Sequence, residues 1–325
     1  MLRTSHGSIL DCRSDWNGRG RIGIFNIHVL TQIHMSFNRK IVIFCFLVFV
    51  CLPVVAWWQY RRLHPHYVPL PPRQEVTLTI IPGWTLRQVA NYLVEQGLAS
   101  STEEVMVLTG EPAVVRNRRA GPPPDLVPEL TVFARKPPTV SYEGYLAPET
   151  YRVFKDATLQ SIVKKFMEQR WQELQEVTIA NSNPMDRIFA NKENIPRPTV
   201  HDFITMASIV EREARTPADK KMVADIMWRR VAAGVALQVD SSVHYAINKT
   251  GDVFTTDQER EVDSPWNTYK YPGLPPGPIC NPGLPSIKAA LYPQKNEYWY
   301  FLSGRDGKVH YGKTLEEHNR NKKYL

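Results

Sequence analysis

The sequence predicts an α+β protein: an N-terminal transmembrane helix, then a small α+β module, then a larger mixed α+β domain. Three observations predict it. Residues Ile41–Trp58 form an uninterrupted apolar run, IVIFCFLVFVCLPVVAWW, about long enough to span a hydrocarbon core. Beyond it, short alternating segments are interleaved with longer ones whose apolar residues recur every three or four positions, the periods of strand and helix. Prolines cluster in His64–Arg73, Gly121–Pro138 and Ser264–Ser286, marking breaks between elements. The expected plan is a leader over 1–40, a membrane helix over 41–59, a Pro-rich spacer over 60–74, a module over 75–120, a linker over 121–140 and a domain over 141–325.

The chain has 325 residues, a net charge of +8 and a pI near 9.2. That excess suits nucleic acid, an anionic membrane surface or an acidic wall polymer. No Lys/Arg stripe with interleaved aromatics accompanies it, so nucleic acid is set aside as a partner. The four cysteines are Cys12, Cys45, Cys51 and Cys280. Only Cys280 lies in the soluble part, which leaves no disulfide framework there, and neither zinc spacing nor any other metal or cofactor motif is present.

Arg39 and Lys40 precede the apolar run and Arg61 and Arg62 follow it, and Trp57, Trp58 and Tyr60 suit a membrane interface. It is long for a signal peptide and no small-residue cleavage site follows, so an uncleaved anchor is expected. Met1–His34 is aperiodic, whereas Met35-Ser-Phe-Asn-Arg-Lys reads as a normal beginning; translation is expected to start at Met35. His64–Arg73 is an extended spacer.

Glu75–Ile81 alternates as a strand, Pro82-Gly83 turns it, and Thr85 caps a helix carrying Leu86, Val89, Ala90, Leu93 and Leu98. This segment resembles the LysM-like repeat, small folds that hold wall glycans; equally, it is a spacing module without glycan affinity. After the linker, Glu143, Tyr145, Glu149 and Tyr151 crowd a turn made by Gly144 and Pro148. Aromatic faces beside carboxylates suit sugars, and also suit ordinary loop packing; Glu149 is the binding candidate here. An amphipathic helix follows, with Leu159, Ile162, Val163, Phe166, Met167 and Leu174 on its buried side. Asn181–Pro198 reads as a loop.

Thr199–Asp202 offers caps for a helix whose stripe is Phe203, Met206, Ile209 and Val210. The next position on that stripe is Glu213, a carboxylate where the pattern calls for a hydrophobe. Glu211 faces another side, toward Ile204, Ala207, Ser208 and Arg215. A carboxyl held against apolar groups keeps its proton to higher pH, as a general acid must. The plainer alternative is that Glu213 ends the helix and pairs with Arg212, Arg215 or Lys220 in solvent.

Pro217 opens a second helix with Met222, Val223, Ile226, Met227 and Val231 on its apolar side, stopped near Gly234 and paired with the first in a hairpin. In Leu237–Ala246, Gln238 and Asp240 share a side of an extended stretch and could orient sugar hydroxyls, while Asp240 could equally cap the helix Ser241–Ile247. Thr255–Ser286 is a Pro- and Gly-rich loop, too long to be idle in a compact domain. Trp266, Tyr269 and Tyr271 offer aromatic faces, and Asn267 and Asn281 offer two-sided hydrogen bonding. Ser286–Leu291 is a helix, Tyr298–Ser303 and Val309–Gly312 a hairpin turning at Arg305–Lys308, and Thr314–Glu317 a capping box for the last helix. His310 and His318 are read as packing residues.

Together these stretches resemble one family, the MltG-type or YceG-like endolytic murein transglycosylases. The residues carrying the resemblance are Glu143–Tyr151 (EGYLAPETY), Met206–Glu213 (MASIVERE), Leu237–Asp240, Asn267–Tyr269, Gly273–Gly277 with Asn281–Gly283, and Tyr311–Thr314 with Glu317–Asn319. They lie in the family's order from about Glu75 to the end. The resemblance implies a single-pass protein of the bacterial inner membrane with its enzyme outside the cytoplasm. Its substrate would be the β-1,4 bond between N-acetylmuramic acid and N-acetylglucosamine inside peptidoglycan strands, cut to 1,6-anhydromuramyl ends without metal or cofactor. The second acid of the E-x-E pair, Glu213, would be essential, and wall-synthesis enzymes would be partners. A water-using muramidase and a non-catalytic wall-binding scaffold are the rivals. The chain departs from the pattern at Ala147, where a missing aromatic would open the turn's edge, and at Ser241 and Ser242, which stand for Pro-Thr. The region before Glu143 is also shorter, so part of the LysM-like portion is expected to be missing.

Overall fold

A long helix, α1 (Ile27–Leu63), comes first. The computed structural model describes residues 27–64, 72–116, 121–130, 136–178, 186–189, 197–251 and 255–325. Within α1, the 23 residues Ile41–Leu63 are long and apolar enough to cross a membrane, and their large side chains are exposed rather than packed into the protein. The helix extends further toward the N-terminus than the apolar run, back into residues read as aperiodic. No Gly or Pro interrupts Ile27–Leu52, and an established helix propagates without needing amphipathicity. Arg61 lies over Trp57 and Arg62 over Trp58, each one turn apart. The Pro-rich spacer falls largely outside the described residues.

Pro72–Leu325 is a second compact unit. Strand β1 (Glu75–Thr79) pairs antiparallel with β2 (Thr150–Phe154), in a register that sets Glu75 opposite Phe154 and Thr79 opposite Thr150. The stretch 75–120 thereby shares a sheet with the residues beyond 141. Strand β2 occupies part of what reads as a turn; Tyr151 and Val153 are buried and their neighbours exposed, a period-two pattern too short to stand out. Thr85 caps α2 (Leu86–Glu95) in a reciprocal box with Gln88, and Leu86, Val89, Ala90 and Leu93 are buried as the spacing requires. Helix α3 (Thr102–Thr109), capped by Ser101, lies beside it.

Helix α4 (Leu159–Thr178) buries all six expected apolar residues, and a short helix, α5 (Asp186–Phe189), lies within the loop expected over 181–198. The centre is a packing of α6 (Val200–Glu213), α7 (Pro217–Ala232) and α10 (Leu284–Leu291), with α4 touching α10. Trp228 of α7 is fully buried there, donating to the Ala290 carbonyl at 2.9 Å and meeting Phe203 and Phe189 edge-on. Between them run α8 (Asp240–Ala246) and α9 (Asp257–Arg260), the latter capped by a Thr256–Glu259 box inside the expected loop. The hairpin β3 (Tyr300–Ser303) and β4 (Val309–Gly312) forms as predicted, followed by α11 (Leu315–Asn321). Thr314 caps α11 through the Glu317 amide, but Glu317 reaches back to the Lys313 N–H instead of closing the expected box.

The turn at Ala147 is not opened by the small side chain. Ala147 is fully buried, its N–H bonded to the Phe166 carbonyl and its carbonyl to the Tyr151 hydroxyl. Gly144, at φ +83°, presses so closely on Pro278 that a Cβ would meet it at 2.6 Å, which welds this turn to the Pro-rich loop.

Candidate active site

Thr199 caps α6 in a reciprocal box with Asp202, and seven consecutive side chains of the helix, Ile204 to Val210, are buried together with His201. The helix is thus a core element, enclosed on the side of Glu211 as well as on the side of Glu213. The two acids nevertheless meet different surroundings. Glu211 is tied on every side: Lys220 Nζ donates to Oε1 at 2.9 Å, and the Gly283 N–H at 3.0 Å and Ser286 Oγ at 2.6 Å donate to Oε2. It fastens α6 to α7 and to the start of α10.

Glu213 makes no ion pair among the described residues. Half-buried at the last turn of α6, it accepts one hydrogen bond, from Ser241 Oγ to Oε1 at 2.6 Å, while Ser303 Oγ holds its main-chain carbonyl at 2.9 Å. Loss of water pushes its carboxyl above the ordinary range, and the negative charge of Asp240 pushes the same way; Ser241 and Arg212 pull against them. A carboxyl so placed keeps its proton at higher pH than a solvated one and can deliver it.

Asp240 lies beside it in sequence-distant α8, its Oδ1 accepting from the Tyr269 hydroxyl at 2.6 Å with Arg260 Nη2 at 3.6 Å. The Arg260 guanidinium rests 5.2 Å over the Tyr269 ring. Asp240 does not cap α8. The cap position is Val239, and the Asp240 side chain is turned to Tyr269 instead. Gln238 does not alternate with it in extended backbone: its φ is +56°, and its Oε1 accepts from Arg230 Nη2 at 2.9 Å. Of the residues expected to bind substrate, Asp240 and Tyr269 are therefore brought together, and Asp240 is close enough to Glu213 to act on its charge.

Asn267 and Asn281 are not surface groups. Both are fully buried. Asn267 Nδ2 donates to the carbonyls of Arg260 and Val262 at 2.8 Å each, and its Oδ1 accepts the Tyr269 N–H at 3.0 Å. Asn281 Oδ1 accepts from the Leu146 N–H at 3.1 Å, and its Nδ2 donates to the Trp84 carbonyl at 3.1 Å and to Glu143 at 3.2 Å. They pin the Pro-rich loop. Glu149 is exposed and accepts from the Thr150 N–H at 2.9 Å, apart from this cluster.

Sequence reasoning passed over Glu143 as a separate group. It is fully buried at the start of α2, both carboxylate oxygens accepting the Leu86 N–H at 2.9 and 3.0 Å, and burial pushes its pKa up to about 8. The signal was only an acid beside a turn glycine. Among the described residues, no three His, Cys, Asp or Glu converge as metal ligands. His310 instead pairs with Asp306 and stacks on Tyr324, while His318 lies against Tyr300.

A groove of about 920 Å³ opens beside the acid, walled by α2, α3, α8 and the end of α6. Glu213 is not one of its lining residues. Ser241 and Arg212 are, so the groove ends one hydrogen bond from the carboxyl.

Residues 61–324 match the model of the YceG-like family. An endolytic murein transglycosylase of Bacillus subtilis (strain 168) is 34% identical over 252 residues, covering 76% of this chain and 65% of that protein. One of Streptococcus pneumoniae serotype 2 is 30% identical over 255 residues, covering 75% of this chain and 44% of that protein. The chain thus spans about two-thirds of one relative and less than half of the other. A crystal structure of a YceG-like protein of Listeria monocytogenes superposes with a TM-score of 0.58 at 33% identity, covering 75% of each chain.

Proposed function

Since the chain belongs to the YceG-like family, we propose that it is an endolytic peptidoglycan lytic transglycosylase. It cleaves the β-1,4 bond between N-acetylmuramic acid and N-acetylglucosamine within glycan strands, leaves 1,6-anhydromuramyl ends, and so limits strand elongation. Glu213 gives its proton to the glycosidic oxygen as the bond to the anomeric carbon breaks. The 6-hydroxyl oxygen of the same muramyl residue then bonds to that carbon, and its proton passes to the Glu213 carboxylate, which is restored. Asp240, held by Tyr269, contributes negative charge beside the cationic transition state.

The observation that carries this reading is the Glu213 carboxyl, in no ion pair among the described residues, raised in pKa and adjoining a polar groove. The apolar segment Ile41–Leu63 supports a single-pass anchor, and on this reading the enzyme lies on the extracytoplasmic side of the inner membrane, where peptidoglycan is. The strand-turn-helix Glu75–Glu95 fits the LysM-like role of holding the strand, and wall-synthesis enzymes are the expected neighbours.

Asp240 near Glu213 also favours a second reading, a muramidase in which a carboxylate pair uses water. Digestion of purified peptidoglycan separates the two: anhydro ends are one water lighter by mass than reducing ends. Glu213→Gln keeps shape and removes the acid, and strand cleavage is expected to fall by a factor of about 100 or more, the usual worth of a general acid. Undiminished cleavage would reject the assignment, and strands bound but never shortened by the native protein would make it a scaffold.

A further inference from the structure

We propose that the groove walled by α2, α3 and α8 binds the carboxylate-bearing peptides that hang from a wall glycan strand, not the sugar rings themselves. This rests on the preceding reading that the substrate is such a strand. Position supports it first. Arg212 precedes the acid in the chain, Ser241 is hydrogen-bonded to it, and both line the groove. A strand whose scissile bond lies at Glu213 therefore brings its substituents to the groove's mouth.

Chemistry supports it next. Sugar rings are commonly held by stacking their C–H faces on aromatic rings. The aromatic side chains lining this groove are His244 and Tyr245, and both are buried; the Tyr245 hydroxyl is already engaged by the Ala113 N–H at 3.1 Å and by Glu143. No open face is left for stacking among the described residues. The lining offers instead four cations, Arg87, Arg116, Arg212 and Lys249, against the two acids Glu103 and Glu111.

Two of the cations are already matched. Arg87 lies 3.7 Å from Glu111, and Lys249 lies 2.9 Å from Glu259. The other two are open to an anion: among the described residues, Arg116 reaches the Gly121 carbonyl, at 3.5 Å, and no acid, and the exposed Arg212 has no ion-pair partner. A guanidinium fork fits a carboxylate with two parallel bonds. The nearby amides of Gln88 and Asn91 suit a peptide backbone, and the volume accommodates a short peptide.

The test uses the full-length chain in detergent micelles, carrying Glu213→Gln so that binding is read without turnover. Fluorescence anisotropy compares glycan strands bearing peptide stems with free carboxylates and the same strands stripped of their peptides. The peptide-bearing strand is expected to bind about tenfold tighter, a preference that shrinks as salt rises. Arg116→Gln with Arg212→Gln should bring the ratio of the two affinities close to one. Arg212→Gln alone, at an exposed position, is the fallback if the double variant misfolds, with roughly a threefold drop in the ratio expected. Equal binding of the two strands, or a preference that survives both substitutions, overturns the proposal. Cleavage by the unsubstituted protein without peptide preference overturns the groove alone, whereas preference without cleavage overturns only the catalytic reading.

Discussion

At the scale of single residues, the two acids of α6 differ by what surrounds them. Among the described residues, Glu211 has three donors and a structural task, whereas Glu213 has one donor, Ser241. The Ser241 bond to Oε1 favours the ionised carboxylate, so removing it should raise the Glu213 pKa further. A general acid works while protonated, and its activity falls as pH rises through its pKa. Ser241→Ala is therefore expected to move the alkaline limb of kcat/KM to higher pH, read from a pH–rate profile; a limb that stays or moves down would show that Ser241 does not tune the acid. Helical spacing made the half-buried position of Glu213 legible in the sequence, because an acid interrupted an apolar stripe. Asn267 and Asn281 were misread for a physical reason: residue type tells how many hydrogen bonds a side chain can make, not whether protein or ligand receives them.

At the scale of elements, capping residues made several helix starts readable. Thr85, Thr199 and Thr314 each bond the backbone three residues on, a local interaction that composition alone reveals. The short elements β2, α3 and α9 were not seen, since four to eight residues carry little periodicity and their state is decided by the partner each packs against. The Pro-rich loop was read as too long to be idle, which leaves open what holds it in place. Prolines stiffen it, while its fixed place comes from buried donors: Trp266 Nε1 to the Gly277 carbonyl at 3.0 Å, Ser208 Oγ accepting the Ile279 N–H at 3.0 Å, and Asn281 bridging three segments. Asn281→Ala leaves those buried partners unsatisfied and is expected to cost about 3 kcal/mol of unfolding free energy, measured by urea denaturation. A cost near zero would mean that the loop is held elsewhere.

At the scale of the whole molecule, the buried Glu143 ties stability to pH. Its pKa is raised from an ordinary carboxyl value to about 8 in the fold, so between those two values the native state holds a proton that the unfolded chain has released. Stability should accordingly be greatest at the acid end of that window and decline as pH rises to about 8, by on the order of a few kcal/mol. Glu143→Gln, neutral throughout, should flatten the decline in thermal melts taken from pH 5 to 8; an unchanged slope would trace it to other groups. The pairing of β1 with β2 carries a consequence for biosynthesis. The ribosome releases β1 directly after α1 and the spacer, whereas its partner emerges about 70 residues later, a lag of roughly 4 to 14 seconds at ordinary rates of synthesis. For that interval a nascent edge waits unpaired, so assembly of this fold is timed by its downstream half.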